Sequence, residues 1–131
     1  MRPGIVSVLT PEQDELITRI IGCAIRVHKE LGPGFLERIY TTALAFELEQ
    51  EGIPFEREVP VVVNYRGMLP IDGQRIDFIV AGSVILEIKA VARVDPIFEA
   101  KLISYLKTAN IKVGLLMNFN ELLLKDGIRR R

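Results

Sequence analysis

The sequence has no tryptophan, one cysteine and one histidine. One cysteine excludes an internal disulfide and a thiolate metal cluster. Cys23 itself lies in an apolar helical run and reads as core. One histidine excludes multi-histidine zinc sites. No apolar stretch is long enough to suggest a membrane span, and no signal-like segment opens the chain. A cytoplasmic protein without membrane association is therefore expected. Net charge is missing too: 17 basic residues balance 17 acidic ones. Bulk charge does not steer the chain to nucleic acid, although a local basic patch would suffice. Internal repeats and low-complexity segments are also absent.

What is present suits one domain over residues 1–131. Apolar residues make up 49% of the chain and charged ones 26%, an ordinary balance for a globular protein with one modest core. The informative stretch is Gly73 to Val91. Two apolar runs, Arg75-Ile76-Asp77-Phe78-Ile79-Val80 and Val84-Ile85-Leu86-Glu87-Ile88-Lys89, flank Ala81-Gly82-Ser83. A three-residue loop places Asp77 directly opposite Glu87, with Cβ atoms roughly 5 Å apart. Period-two alternation puts Lys89 on the same face as Glu87, with Arg75 near. Charges inside a strand covered on both faces need a partner or a metal. Two carboxylates this close repel each other, and a hard cation such as Mg²⁺ or Mn²⁺ relieves that repulsion. The plainer alternative is a surface hairpin carrying an ordinary Glu–Lys pair.

The rest of the chain supplies helices and further strands. Thr10-Pro11-Glu12-Gln13 reads as a capping box with proline at the first helical position. Leu16, Ile17, Ile20, Ile21, Ala24, Val27 and Leu31 then recur at helical spacing, and Gly32-Pro33-Gly34 stops the helix. Residues 1–9 read as an edge strand or an arm. A second helix is expected from about Phe35 to Glu51, with Leu36, Tyr40, Leu44 and Leu48 as its apolar stripe. Ile53 to Tyr65 reads as a long strand in which Pro60 marks an edge or a bulge. Pro70 to Gly73 reads as a loop. After Asp95-Pro96 a helix runs to about Thr108, carrying Ile97, Ala100, Leu102, Ile103 and Leu106. Lys112 to Phe119 is a core strand, parallel to the Glu87 strand because a helix intervenes. Asp126-Gly127 suggests a type I′ turn, and Ile128-Arg129-Arg130-Arg131 reads as a solvated basic tail or an addition to a phosphate-binding face.

Asp77 followed by Glu87-Ile88-Lys89 across a short hairpin resembles the signature of the PD-(D/E)XK nuclease superfamily. Gly34-Phe35-Leu36-Glu37-Arg38-Ile39-Tyr40 matches the pattern that names the GxxExxY protein family. The context from about Leu16 to Arg130 is similar as well, including His28 to Gly34, Ser104 to Lys107, Val113 to Leu116 and Asn118-Phe119. The resemblance implies a restriction-endonuclease-like α/β three-layer sandwich with a mixed central sheet flanked by helices. It implies a metal-dependent nuclease hydrolysing the nucleic-acid backbone, DNA ahead of RNA. The alternative is a non-catalytic or partner-dependent nucleic-acid-binding module on the same fold. A second copy of the chain, or another protein, could supply missing surface.

The resemblance also assigns roles. Asp77, Glu87, the Ile88 carbonyl and Glu37 would hold Mg²⁺ or Mn²⁺, and Lys89 would position or help deprotonate the attacking water. Without the family, Glu37 reads as an ordinary first-turn acid. His28, Tyr40, Arg75, Lys101 and Tyr105 are candidate substrate contacts, and Lys107 is a further candidate for the backbone. His28 reads equally as a helix C-terminal histidine, and Tyr40 and Tyr105 as packing residues. Lys101 departs from the commoner pattern, in which a glutamine stands four residues before the tyrosine. A lysine offers a point charge to phosphate but not both functions of an amide.

Overall fold

The structure is a computed structural model and describes residues 9–131. The arm or edge strand expected over residues 1–9 lies outside the described residues except for Leu9, which packs against the helical core. Helix α1 spans Pro11–Leu31. Thr10 accepts from the Gln13 backbone N–H and the Gln13 side chain accepts from that of Thr10, so the capping box forms as the sequence predicts. Gly32 closes the helix at φ 69°, a conformation open to glycine, and returns its N–H to His28.

Helix α2 spans Glu37–Gln50 and starts two residues later than the pattern suggests. Leu36 is therefore its N-cap and stays 64% exposed, whereas Tyr40, Leu44 and Leu48 are fully buried. Arg26 and Glu47 tie α1 to α2 through a 2.9 Å ion pair on the surface.

The remaining elements are β1 (Phe55–Tyr65), β2 (Leu69–Val80), β3 (Val84–Lys89), α3 (Pro96–Ala109), β4 (Val113–Asn118), a 3-10 turn (Leu124–Gly127) and β5 (Ile128–Arg130). The sheet order is β1-β2-β3-β4-β5, with β3 and β4 parallel and all other neighbours antiparallel. The parallel pair follows from the α3 crossover. One face packs against α1 and α2 through Phe78, Val80, Val84, Leu86, Ile88, Leu115 and Met117. The other packs against Leu102 and Tyr105 of α3 through Val61, Ile76, Ile79, Ile85 and Leu116. This is the α/β three-layer sandwich of the restriction-endonuclease-like kind, with its mixed sheet in the middle.

Three expectations need correction. Pro70 to Gly73 is not a loop but the start of β2, which pairs with β1 in a ribbon extending past β3. That pairing needs only one neighbour, so proline and glycine are tolerated there. Asp126-Gly127 is not a type I′ turn; it ends the 3-10 turn. The terminal arginines are not a free tail, because residues 128–130 form β5 on β4, and Arg131 reaches Glu99 of α3 at 2.6 Å. On α3, Ile97 and Ile103 face outward at 55% and 40% exposure.

Gly114 lies where α3 crosses β4. A Cβ there would stand 2.6 Å from Leu102 Cδ1, and Leu102 is itself fully buried. Gly114→Ala is expected to destabilise the fold by about 1–3 kcal/mol in denaturant unfolding. Unchanged stability would show that the α3–β4 contact is looser than this packing implies.

Candidate active site at the fork of the central hairpin

The β2–β3 ladder pairs Val80 with Val84, Ile79 with Ile85 and Phe78 with Leu86, then stops. The three-residue connection is as expected, so the next opposed positions are Asp77 and Glu87. Their side chains replace the missing rung. The Asp77 N–H donates to Glu87 Oε2 at 2.8 Å, and the Ile88 N–H donates to Asp77 Oδ2 at 2.8 Å. Each carboxylate thus satisfies a backbone donor that the parting strands would otherwise leave alone.

The arrangement is electrostatically tense. Glu87 is buried at 6% exposure, and Asp77 is half-buried. Burial pushes the Glu87 carboxyl up from 4.5 to about 8, helped by the Asp77 charge beside it. Burial also raises Asp77, against the Ile88 hydrogen bond and the positive charge of Lys89. At roughly 5 Å, two unit charges repel by about 3 kcal/mol at an effective dielectric of 20. A charge-assisted hydrogen bond returns about 1.5–3 kcal/mol. The two effects nearly offset, so desolvation decides, and without a cation Glu87 keeps its proton.

Three elements bring other groups to the fork. Glu37 is the first residue of α2; burial raises its carboxyl, with Lys89 opposing and Asp77 and Glu58 adding to the rise. Lys89, at the end of β3, places Nζ 4.4 Å from the centre of the Phe98 ring on α3. That contact favours a fixed cation. Lys101 turns its charge toward both Glu87 and Glu37, where it opposes their upward shifts. Tyr105 is buried beneath the fork; burial raises its phenol, and the charges of Glu87 and Asp77 raise it further. Arg75 lies on exposed β2 and donates to the Glu58 carbonyl at 3.4 Å. Glu37, Asp77, Glu87, Lys89, Lys101 and Tyr105 therefore share one region.

His28 and Tyr40 do not join them as substrate contacts. His28 is buried and donates Nε2–H to the Glu121 carbonyl at 2.7 Å, which fixes the turn after β4 to the end of α1. Tyr40 is fully buried. Its hydroxyl donates to the Gly32 carbonyl and accepts from the Phe35 N–H, and its ring stacks 4.8 Å from Phe119. No atom of Tyr40 is left for a phosphate. It holds the Gly-Pro-Gly turn that delivers Glu37. Lys107 lies two residues beyond Tyr105, about 200° further round the helix by a 100° step per residue, and drops out of this face.

Sequence reasoning passed over three residues. Phe98 is spaced three and seven residues before Lys101 and Tyr105, a helical spacing that would have placed it on their face. Asn118 is fully buried and clamps the exit of β3, accepting from Val91 N–H at 3.0 Å and donating to Val91 O at 2.9 Å. Glu58 has φ 53°, rare for a residue with a side chain, and only the nearby Pro60 hinted at irregularity. A groove of about 830 Å³ between α1 and α2, lined by Val27, Leu31, Ile39, Ala43 and Phe46, contains none of the fork residues.

The donor set fits a divalent cation in one respect. A buried and a half-buried carboxyl group face each other, and neither forms an ion pair with a basic side chain among the described residues. In another respect it is sparse: no cluster of three or more His, Cys, Asp or Glu side chains is arranged to hold an ion among the described residues. A two-carboxylate site completed by water and phosphate is the kind Mg²⁺ accepts.

Comparison with known proteins gives a family match. A family model for the PD-(D/E)XK nuclease superfamily covers residues 14–131. No curated protein matches the chain, and no solved structure does. Among the described residues, no helix is long and apolar enough to cross a membrane.

The Glu87 shift has a pH signature. Below pH 4.5 both folded and unfolded chains hold this proton, and stability is retained. Between 4.5 and about 8 the unfolded chain ionises while the folded one resists. Metal-free stability should therefore fall as pH rises through this window, by on the order of a few kcal/mol, and level off above it. Glu87→Gln should remove most of that slope in urea titrations run from pH 5 to 9. An equal slope in the variant would place the titrating group elsewhere.

Proposed function

We propose, because this chain belongs to the PD-(D/E)XK nuclease superfamily, that it is a Mg²⁺- or Mn²⁺-dependent phosphodiesterase that hydrolyses the nucleic-acid backbone. The observation that carries the proposal is the pair of opposed carboxyl groups at the β2–β3 fork, one buried and one half-buried and neither ion-paired among the described residues, with Lys89 and Lys101 around it. The GxxExxY pattern at Gly34 to Tyr40 supports a finer reading, membership in the family named for that motif. Residues 1–131 then form one nuclease domain.

Asp77 and Glu87 would hold the ion, with the Ile88 carbonyl and Glu37 as further donors. When bound, such an ion lowers the pKa of water and offsets negative charge on phosphate. The chain's own groups do the rest. Asp77 and Glu87 are pre-aimed by their backbone hydrogen bonds, so little side-chain entropy remains to be lost on binding. Lys89 is held as a cation over Phe98, and its charge favours the developing phosphate anion and orients the attacking water. Lys101 offers a point charge to a neighbouring phosphate, and Arg75 another further out. These contacts touch the backbone and do not read sequence. Tyr105 is buried close enough for its phenol to feel the charges of Glu87 and Asp77. DNA is the first substrate to test, with RNA beside it.

One observation favours a second reading. The absence of a three-group metal cluster among the described residues, together with Lys101 in place of glutamine, suits a nucleic-acid-binding module that acts only with a protein partner or a second copy.

A cleavage screen with Mn²⁺ over single- and double-stranded DNA and RNA separates the two. Wild-type protein is expected to cut at least one substrate. Glu87→Gln and Lys89→Ala should fold and lose about 100-fold or more in rate, as removal of one charge-stabilising group does elsewhere. Equal rates in wild type and Glu87→Gln would overturn the assignment. Binding without cleavage by any of them would favour the second reading.

A further inference from the structure

We infer that Glu58 is a positioning residue whose left-handed backbone, rather than its carboxylate, sets the place of Asp77. The inference takes Asp77 as the site carboxylate from the proposed function and concerns what holds it there.

The observations are these. Strands β1 and β2 pair in one register on both sides of this point: Arg57 with Phe78, and Val59 with Ile76. Between them the Glu58–Asp77 rung is skipped. Side-chain alternation also slips there. Phe78 and Val80 face α1 and α2, and Ile79 faces α3, as period two requires. Ile76 should then face α1 and α2 with Phe78. It faces α3 instead, together with Val59 and Val61 of β1. On the partner strand, Arg57 stacks over Phe78 on the α1–α2 side. Each strand thus contains one residue that belongs to neither alternation, Glu58 on β1 and Asp77 on β2. Because each strand has one, the register survives.

A slip needs an unusual dihedral somewhere, and it is found at Glu58. Its φ is 53°, while Asp77 is absent from the positive-φ residues. Arg75 donates to the Glu58 carbonyl at 3.4 Å and braces the bend. The slip has two consequences. It curls the ribbon so that Val59, Val61 and Ile76 bury against α3. It also takes Asp77 out of the β1 ladder, at the residue whose N–H donates to Glu87 Oε2 and whose carboxylate accepts from the Ile88 N–H. Strain of this kind persists where the surroundings over-determine it, and it gathers at functional sites. Glu58 is exposed, so packing of its side chain does not impose the conformation.

The test is amide hydrogen exchange on the metal-free protein, followed at Asp77 and Ile88 in Glu58→Gly, Glu58→Ala and Glu58→Val. Glycine adopts the left-handed region freely, alanine with difficulty and a β-branched residue worst. Glu58→Gly should keep wild-type protection at both amides and a melting temperature at or above wild type. Glu58→Ala meets the same Cβ penalty as glutamate and should keep the wild-type rate, while Glu58→Val should exchange about tenfold faster or more, with Ile79 and Ile85 protected throughout. If the valine variant fails to fold, a melting temperature higher in Glu58→Gly than in Glu58→Ala supports the inference and an equal one overturns it. Wild-type protection in the valine variant overturns it as well. So does faster exchange in both Glu58→Gly and Glu58→Ala, which would assign the role to the carboxylate. Because no metal or substrate is present, either result stands apart from whether the protein cleaves nucleic acid.

Discussion

Two crossed hydrogen bonds, from Asp77 N–H to Glu87 and from Ile88 N–H to Asp77, hold the centre of this protein open. They let the hairpin end its ladder at Phe78 and Leu86 without orphaned backbone groups. They also bring two carboxylates together where water is scarce, and burial, with the Asp77 charge adding to it, lifts Glu87 to about 8. The tension makes chemical sense when a cation is the missing partner.

The surrounding elements serve the fork in different ways. Helix α2 presents Glu37 from its first turn because Gly32, Pro33 and Gly34 turn the chain sharply and Tyr40 fastens that turn. Helix α3 offers Phe98, Lys101 and Tyr105 on one face, supplying a seat for the Lys89 ammonium, a positive charge near Glu87 and a buried ring. Strand β4 adds Asn118, which ties the chain leaving β3. The basic groups are local, and the neutral total charge is no obstacle to a phosphate substrate at this one place.

Much of this was readable from residue types and spacing. The capping box at Thr10 and Gln13 predicts the start of α1 to the residue, because a reciprocal side-chain–backbone pair leaves little freedom. Counting three residues between Val80 and Val84 was enough to oppose Asp77 and Glu87. The α3 crossover predicts the parallel pairing of β3 and β4. What escaped was governed by tertiary context. Pro70 to Gly73 carries turn-forming residues yet forms a strand edge, since only β1 needs to bond it. Leu36 fits the apolar stripe of α2 but falls just outside the helix. The left-handed Glu58 breaks the period-two rule on which shared-face arguments rest, and glutamate gives no composition cue for it. His28 and Tyr40 serve the architecture, since both fasten the chain on either side of the turn to Glu37.

The most direct test of the central claim is the count of protons released when Mn²⁺ binds, obtained by calorimetry near pH 7 in buffers of differing ionisation enthalpy. A cation shared by Asp77 and Glu87 must displace the proton that burial keeps on Glu87, so release of about one proton per ion is predicted, with both binding and release lost in Glu87→Gln. Binding that releases no proton, or that persists unchanged in that variant, would contradict the account.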